Sequence, residues 1–274
     1  MRRSFAAAVA ALGLLLPAAP LSAQVLLRIN PPEGQVTRYR IVVETYVTGG
    51  QMAAMMTDPS QPMNRMTMYQ TRAVTAKSAD RVTFRETIDS ASMESPAMPQ
   101  MAQMMGQATA ALRGMVTEQV ITTRGKIVSS QVVSGGPQDM GQMGQGRGRG
   151  GPMGNTSNRE NGRMLVLLPE GPVRVGDSWT DTMTTTSDAG AMTMIATFRL
   201  ERMEGSTAVL GFTGSMSSPM GQGGTMSMQM TGELRLDTTN SRMGGYRMEM
   251  QGSPPAGPMG DMQMRIRVNG EQIG

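Results

Sequence analysis

Apolar and polar residues alternate with period two through much of the chain, the signature of strands with one buried and one wetted face. Residues 36–48, VTRYRIVVETYVT, put Tyr39, Ile41, Val43 and Val47 on one side. Residues 81–89 align Val82, Phe84 and Ile88, while 192–200 align Met192, Met194, Phe198 and Leu200 opposite Thr193, Thr197 and Arg199. Ala208, Leu210, Phe212 and Met216 share a face in 208–216, as do Tyr246, Met248 and Met250 in 244–250 and Met262, Met264, Ile266 and Val268 in 262–268. Turn signals separate these runs: KSAD at 77–80, TTRGK at 122–126 and MEGS at 203–206. The pattern predicts about eleven antiparallel strands joined largely by hairpins. That many strands do not remain one flat open sheet. The expected fold is mostly β, a large curved antiparallel sheet forming a half-barrel or a sandwich.

Two segments depart from period two. Residues 98–112, MPQMAQMMGQATAAL, place Met98, Met101, Met105, Ala108 and Leu112 on one helical face, with Pro99 tolerated in the first turn. A second short helix is expected from about 158 to 168, stopped by Pro169. Between them, residues 134–158 are mostly Gly, Gln, Arg and Met. GQGRGRGG resembles an RGG tract, but this composition cannot bury a core, and the reading is a flexible linker. The linker divides the chain into a first β half, 24–133, and a second, 159–274. MTMYQTRAV…RVTFRETIDSASM (66–93) resembles MTMIATFRL…TAVLGFTGSM (192–216), and EQVITTRGK (118–126) resembles ELRLDTTNSR (233–242), which suggests a duplicated unit.

Residues 1–23 read as an export signal: Arg2 and Arg3, an apolar run over 6–16 too short to span a bilayer, then small residues ending LSA. No cysteine is present for lipid attachment or disulfides, and no second apolar run for an anchor, so the expected product is a periplasmic or extracellular protein without a membrane anchor. Loss of the signal removes two arginines and lowers the formal charge from +4 to +2. Arginine and carboxylates are interspersed, with no basic stripe for nucleic acid.

Leu, Ile, Val and Phe make up only about 15% of residues 24–274, below the roughly 20% that signals disorder. Counting methionine raises the share to about 27%, so thioethers must carry part of the burial. In TMSMQMTGELRLD (225–237), Met226, Met228 and Met230 are in phase with Leu234 and Leu236, and every intervening position is polar. A slip of one residue would expose all five apolar side chains, which assigns these methionines to the inner face of a strand. Loop and helix methionines are freer. Met52, Met55, Met56 and Met63 are candidate ligands for a soft cation such as Cu(I) or Ag(I), and Met98, Met101, Met105 and Leu112 are candidate contacts for an apolar ligand.

With no histidine and no cysteine, the familiar nucleophilic triads, thiolate chemistry and nearly all zinc sites are excluded. Carboxylates remain, but Glu201, Glu233 and Glu249 fall on wet strand faces, Asp80, Glu204 and Asp237 fall in turns, and no facing pair is evident. No phosphate-binding glycine loop or EF-hand pattern occurs. The locally specific segment is LPEGPVRVGDSW (168–179): two prolines enforce extended backbone, Gly176 and Asp177 make a turn, and Trp179 enters the next strand as a core anchor. This segment, with GQVTRYRI before it and TGELRLD after it, resembles an element of exported, β-rich bacterial proteins of unknown function. The resemblance implies fold and compartment and no activity. The expectation is an exported non-enzymatic protein, without cofactor, that binds a hydrophobic small molecule or an envelope protein through a methionine-lined β surface. Soft-metal binding and a purely structural envelope role are the alternatives.

Overall fold

The computed structural model describes residues 24–99, 106, 109–135, 166–187, 190–220, 224–253 and 261–274. Its strands are β1 (Val36–Gly49), β2 (Asn64–Lys77), β3 (Arg81–Glu94), β4 (Val116–Thr122), β5 (Ile127–Ser134), β6 (Ser178–Ser187), β7 (Gly190–Glu204), β8 (Thr207–Met220), β9 (Gly224–Asp237), β10 (Arg242–Ser253) and β11 (Met262–Gln272). They form one sheet in the order β5-β4-β3-β2-β1-β11-β10-β9-β8-β7-β6. Every pairing is antiparallel. The mostly β, eleven-strand expectation holds. It is one open sheet instead of the two of a sandwich, and its edges β5 and β6 do not pair with each other.

Two up-and-down meanders, β1–β5 and β6–β10, lie side by side with β11 between them. The segments with similar sequences, β2–β4 and β7–β9, therefore hold equivalent places in the two meanders. One core cluster runs through both, from Val82, Phe84 and Ile121 to Phe198, Leu210 and Leu234.

The curvature follows from what joins the two edges. Laid flat, eleven strands would separate β5 from β6 by about 48 Å, at roughly 4.8 Å per strand. Instead, residues 24–31 and 166–173 tie both edges together at one end. The Leu168 amide donates to the Arg124 carbonyl in the β4–β5 turn at 2.8 Å, while Trp179 of β6 donates its indole N–H to the Leu167 carbonyl at 2.7 Å. Ile29 donates to Thr123 at 2.7 Å, and Val25 exchanges two backbone hydrogen bonds with Val173. Since four residues span at most about 14 Å, Val25 and Ile29 cannot reach both edges unless the sheet is curled. These segments form a floor: Leu27 and Leu168 are fully buried, and Val166 nearly so.

Glycines let the interior fill. Gly270 on β11 lies opposite Tyr246, and a Cβ there would collide with the tyrosine ring. Gly232 on β9 does the same for Phe212 of β8. Each aromatic lies flat over a cross-strand glycine, a device that relieves crowding on the concave side of a bent sheet.

The outer face is polar and laced with ion pairs, among them Arg65–Glu44 at 2.8 Å, Arg267–Glu249 at 2.9 Å, Arg40–Glu271 at 3.0 Å and Arg235–Glu204. Exposed pairs contribute little stability; their effect is to keep this face wet. The open edges are blunted. The β4–β5 register shifts twice, leaving Val128 and Val133 out of the ladder and exposed. On β6, Asp181 takes the alternate position between Trp179 and Met183 and so lies on the inner face. Bulges and inward charges are devices that prevent edge-to-edge pairing.

Helical structure is sparse. A five-residue helix α1 (Gly50–Ala54) occupies what the sequence pattern suggests is a loop. Backbone at 99, 106 and 109–110 is helical, and the rest of the 98–112 candidate lies outside the described residues. The second helix is not found where it can be checked: 166–168 are extended floor residues, held by Arg124 and Trp179, and 158–165 lie outside the described residues. The residues read from the sequence as an export signal (1–23) and nearly all of those read as a linker (134–158) also lie outside them.

Replacing Gly270 by Val should lower stability by about 1–3 kcal/mol through overpacking against Tyr246. Gly171→Ala, in open space on the surface, should shift it by less than about 0.5 kcal/mol. Urea unfolding followed by tryptophan fluorescence measures both.

Candidate functional site

The inner face changes character along the strands. Beside the floor it is lined by Leu200, Leu210, Leu236, Val82 and Ala208, all at most 1% exposed. Toward the opposite end, the mouth, it is lined by methionines: Met66 and Met68 on β2, Met183 on β6, Met192 and Met194 on β7, Met216 on β8, Met226, Met228 and Met230 on β9, Met248 and Met250 on β10, and Met264 on β11. Met68, Met228 and Met230 are buried, while the others remain partly exposed. The β8–β9 register puts Met216 opposite Met228, and the β7–β8 register puts Met194 opposite Met216, so the thioethers form a continuous surface across strands.

A second cluster sits at the mouth above β1 and β11. Val47, Met56, Ala97 and Met262 are its buried centre, with Met52, Met63, Met98 and Met264 packed around them. Three of the four proposed metal-ligating thioethers, Met52, Met56 and Met63, are thus gathered into an apolar cluster, whereas Met55 points away and is 71% exposed. Of the proposed ligand contacts, Met98 belongs to this mouth cluster and Leu112 packs on the main core, so the two do not share one patch. Met101 and Met105 lie outside the described residues. Met226, Met228 and Met230 lie on the inner face of β9, in phase with Leu234 and Leu236.

Gly176, Asp177 and Trp179 build the entry to β6. Gly176 has φ +97°, a conformation glycine adopts without strain. The Asp177 carboxylate accepts from the Arg174 amide at 2.8 Å, and Leu200 exchanges backbone hydrogen bonds with Gly176 and Asp177. Trp179 then stacks on Phe198 with ring centroids 5.8 Å apart. This turn aims the only tryptophan of the chain across the floor.

Sequence reasoning missed a polar layer between floor and mouth. Arg72 on β2 lies opposite Glu86 on β3; its Nε and Nη2 both donate to Glu86 Oε1, at 2.7 and 2.5 Å. Glu86 is 3% exposed. The guanidinium also stands over the rings of Phe84 and Tyr39, 5.1 and 5.5 Å from their centroids. Burial works against the charge of Arg72, but Glu86 and then Tyr39 outweigh it and raise its pKa. Burial pushes the Tyr246 hydroxyl up to about 12, against the pull of Arg72, and raises Tyr39 for the same reason. The carboxylates singled out from the sequence are those on wet strand faces and in turns; Glu86, buried on the inner face against Arg72, is not among them. The signal was present: Glu86 is in phase with Val82, Phe84 and Ile88, and Arg72 with Met66, Met68 and Val74.

Removing one member of this pair strands a buried charge. Glu86→Ala should cost about 3–5 kcal/mol, whereas Arg72→Met with Glu86→Leu should stay near wild type; chemical denaturation of the three proteins distinguishes them. The buried tyrosines predict an alkaline limit. Unfolded tyrosine ionises near pH 10, while Tyr246 stays protonated to about 12. The Tyr246 contribution is complete below pH 10 and is lost as pH rises toward 12, by up to about 1.4 kcal/mol per pH unit, and Tyr39 acts in the same direction. Urea midpoints should fall over that window, and Tyr246→Phe should flatten the fall.

Residues 159–244 match a family described as being of unknown function, DUF6263. The match begins before the floor segment and runs through β6–β9 to the start of β10. No curated protein matches the chain.

Proposed function

We propose that this is an exported, non-enzymatic binding protein that holds an apolar small molecule against the methionine-lined interior of its curved sheet. The observation that carries the reading is the asymmetry of the inner face. The floor end is packed to near-zero exposure, while Met66, Met183, Met192, Met194, Met216, Met226, Met248, Met250 and Met264 stay partly exposed at the other end. Methionine is unbranched and polarisable, so a surface made of it adapts to ligands of varied shape. A core needing only to be filled would be better specified by leucine or isoleucine, whose rotamers are fewer.

The absence of histidine and cysteine from the chain favours binding over catalysis. The compartment follows from the signal-like residues 1–23, and the segment 168–179, inside the family match, supplies floor and β6 entry in this reading.

The mature protein should bind an environment-sensitive apolar dye, with fluorescence enhancement saturating at micromolar dye. The cross-strand pair Met194→Lys and Met216→Lys should weaken binding tenfold or more, and Met55→Lys should not change it. Native mass spectrometry should reveal co-purifying lipid. A delipidated protein that binds neither dye nor lipid would end the proposal, as would a double-lysine variant that binds like wild type.

A further inference from the structure

Five polar side chains, four of them buried and one half-buried, lie on the inner face of β2–β4, and the corresponding region of β7–β9 has no buried polar side chain among the described residues. They are Gln70 and Arg72 on β2, Glu86 on β3, and Thr117 and Gln119 on β4, with Gln70, Glu86, Thr117 and Gln119 each at most 9% exposed. Register makes them neighbours: Arg72 faces Glu86, Glu86 faces Thr117, and Gln119 faces Phe84. The equivalent strands carry Ala196, Phe198, Leu210, Phe212 and Leu234.

Leaving a buried amide without a partner is costly. Gln70 and Gln119 make no side-chain hydrogen bond among the described residues. Nor are they among the atoms sealed without a partner, which are Asn30 Oδ1, Gln35 Oε1, Arg242 Nε and Arg265 Nε. Their amides are therefore not fully sealed and remain open to a partner. A fold needing only a core would hold apolar residues at these positions, as the second meander does.

We infer that this layer is the headgroup site of the apolar-ligand face, and that the ligand is an uncharged amphiphile whose head carries hydroxyl or amide groups. The inference rests on the proposed apolar-ligand function and adds the chemistry of the head. Charge decides the class. Arg72 and Glu86 already neutralise each other at 2.5 Å, so a bare anion would meet the carboxylate and a cation the guanidinium, both in a poorly solvated setting. Two primary amides and a threonine hydroxyl beside that pair offer donors and acceptors together, the complement of a polyol or amide head. From Arg72 to Met66 the strand runs about 20 Å at roughly 3.4 Å per residue, the length of a long acyl chain laid toward the mouth.

Displacement of the bound apolar dye from the mature chain by 1-monopalmitoylglycerol and by palmitate tests this. The neutral lipid should displace dye at a concentration at least tenfold below that of palmitate. Gln70→Met with Gln119→Met should erase this preference and leave dye affinity within threefold of wild type. Thr117→Val, a nearly isosteric change, should reduce the preference if the double variant does not fold. Equal or stronger displacement by palmitate, or a preference unchanged in folded variants, overturns the headgroup site and leaves the apolar face standing. A wild-type protein that binds no dye overturns both.

Discussion

Leu167 and Leu168 hold this molecule in its shape. One carbonyl accepts the indole of Trp179 at the β6 edge, and the adjacent amide reaches the β4–β5 turn at the other edge. An eleven-stranded antiparallel sheet with one apolar face has no second layer to bury that face. It can only roll, and rolling requires something to bridge the edges without completing the hydrogen-bond ladder. The floor segments do this with a few backbone hydrogen bonds and the buried side chains of Leu27, Ile29, Val166, Leu168 and Val173. The Gly176–Asp177 turn sets the angle at which Trp179 meets them. Glycine at 232 and 270 supplies the remaining freedom, because the concave surface has no room for a side chain beneath Phe212 and Tyr246.

That architecture separates two tasks along the strand direction. At the floor, branched aliphatic and aromatic residues pack to near-zero exposure and provide stability. At the mouth, methionine leaves the same face soft. The division is not visible strand by strand, since β2 and β6–β11 each contribute both kinds of residue. Antiparallel register gathers the ends: the methionines lie at the starts of β2, β7, β9 and β11 and at the ends of β6, β8 and β10. The Arg72–Glu86 pair marks the boundary. Its desolvation is offset by close contact and by the rings of Phe84 and Tyr39, and the pair as a whole is neutral.

Period-two alternation was enough to locate the strands, their inner faces and the overall class, because each face signal is local and is repeated over several residues. The phase of Met226, Met228 and Met230 with Leu234 and Leu236 was likewise readable, since a slipped register would have exposed five apolar groups at once. The segment at 166–168 misled for the opposite reason. Its apolar residues suit a helix as well as an extended strap, and only contact with Arg124 and Trp179 selects the strap. The loop methionines gave no periodic signal, and Met55 parts from Met52, Met56 and Met63 through the geometry of the short helix α1.

Composition and alternation alone thus determined a β protein lacking histidine and cysteine chemistry, with methionine in its core and one wet face on each strand. Tertiary structure decided that the strands make a single open sheet, that its edges are tied by a floor, and that Arg72 and Glu86 meet inside. The physical reason is range. Alternation acts between neighbours in the chain, whereas the order of eleven strands, the closure of the floor and the pairing of a buried charge depend on groups tens or hundreds of residues apart.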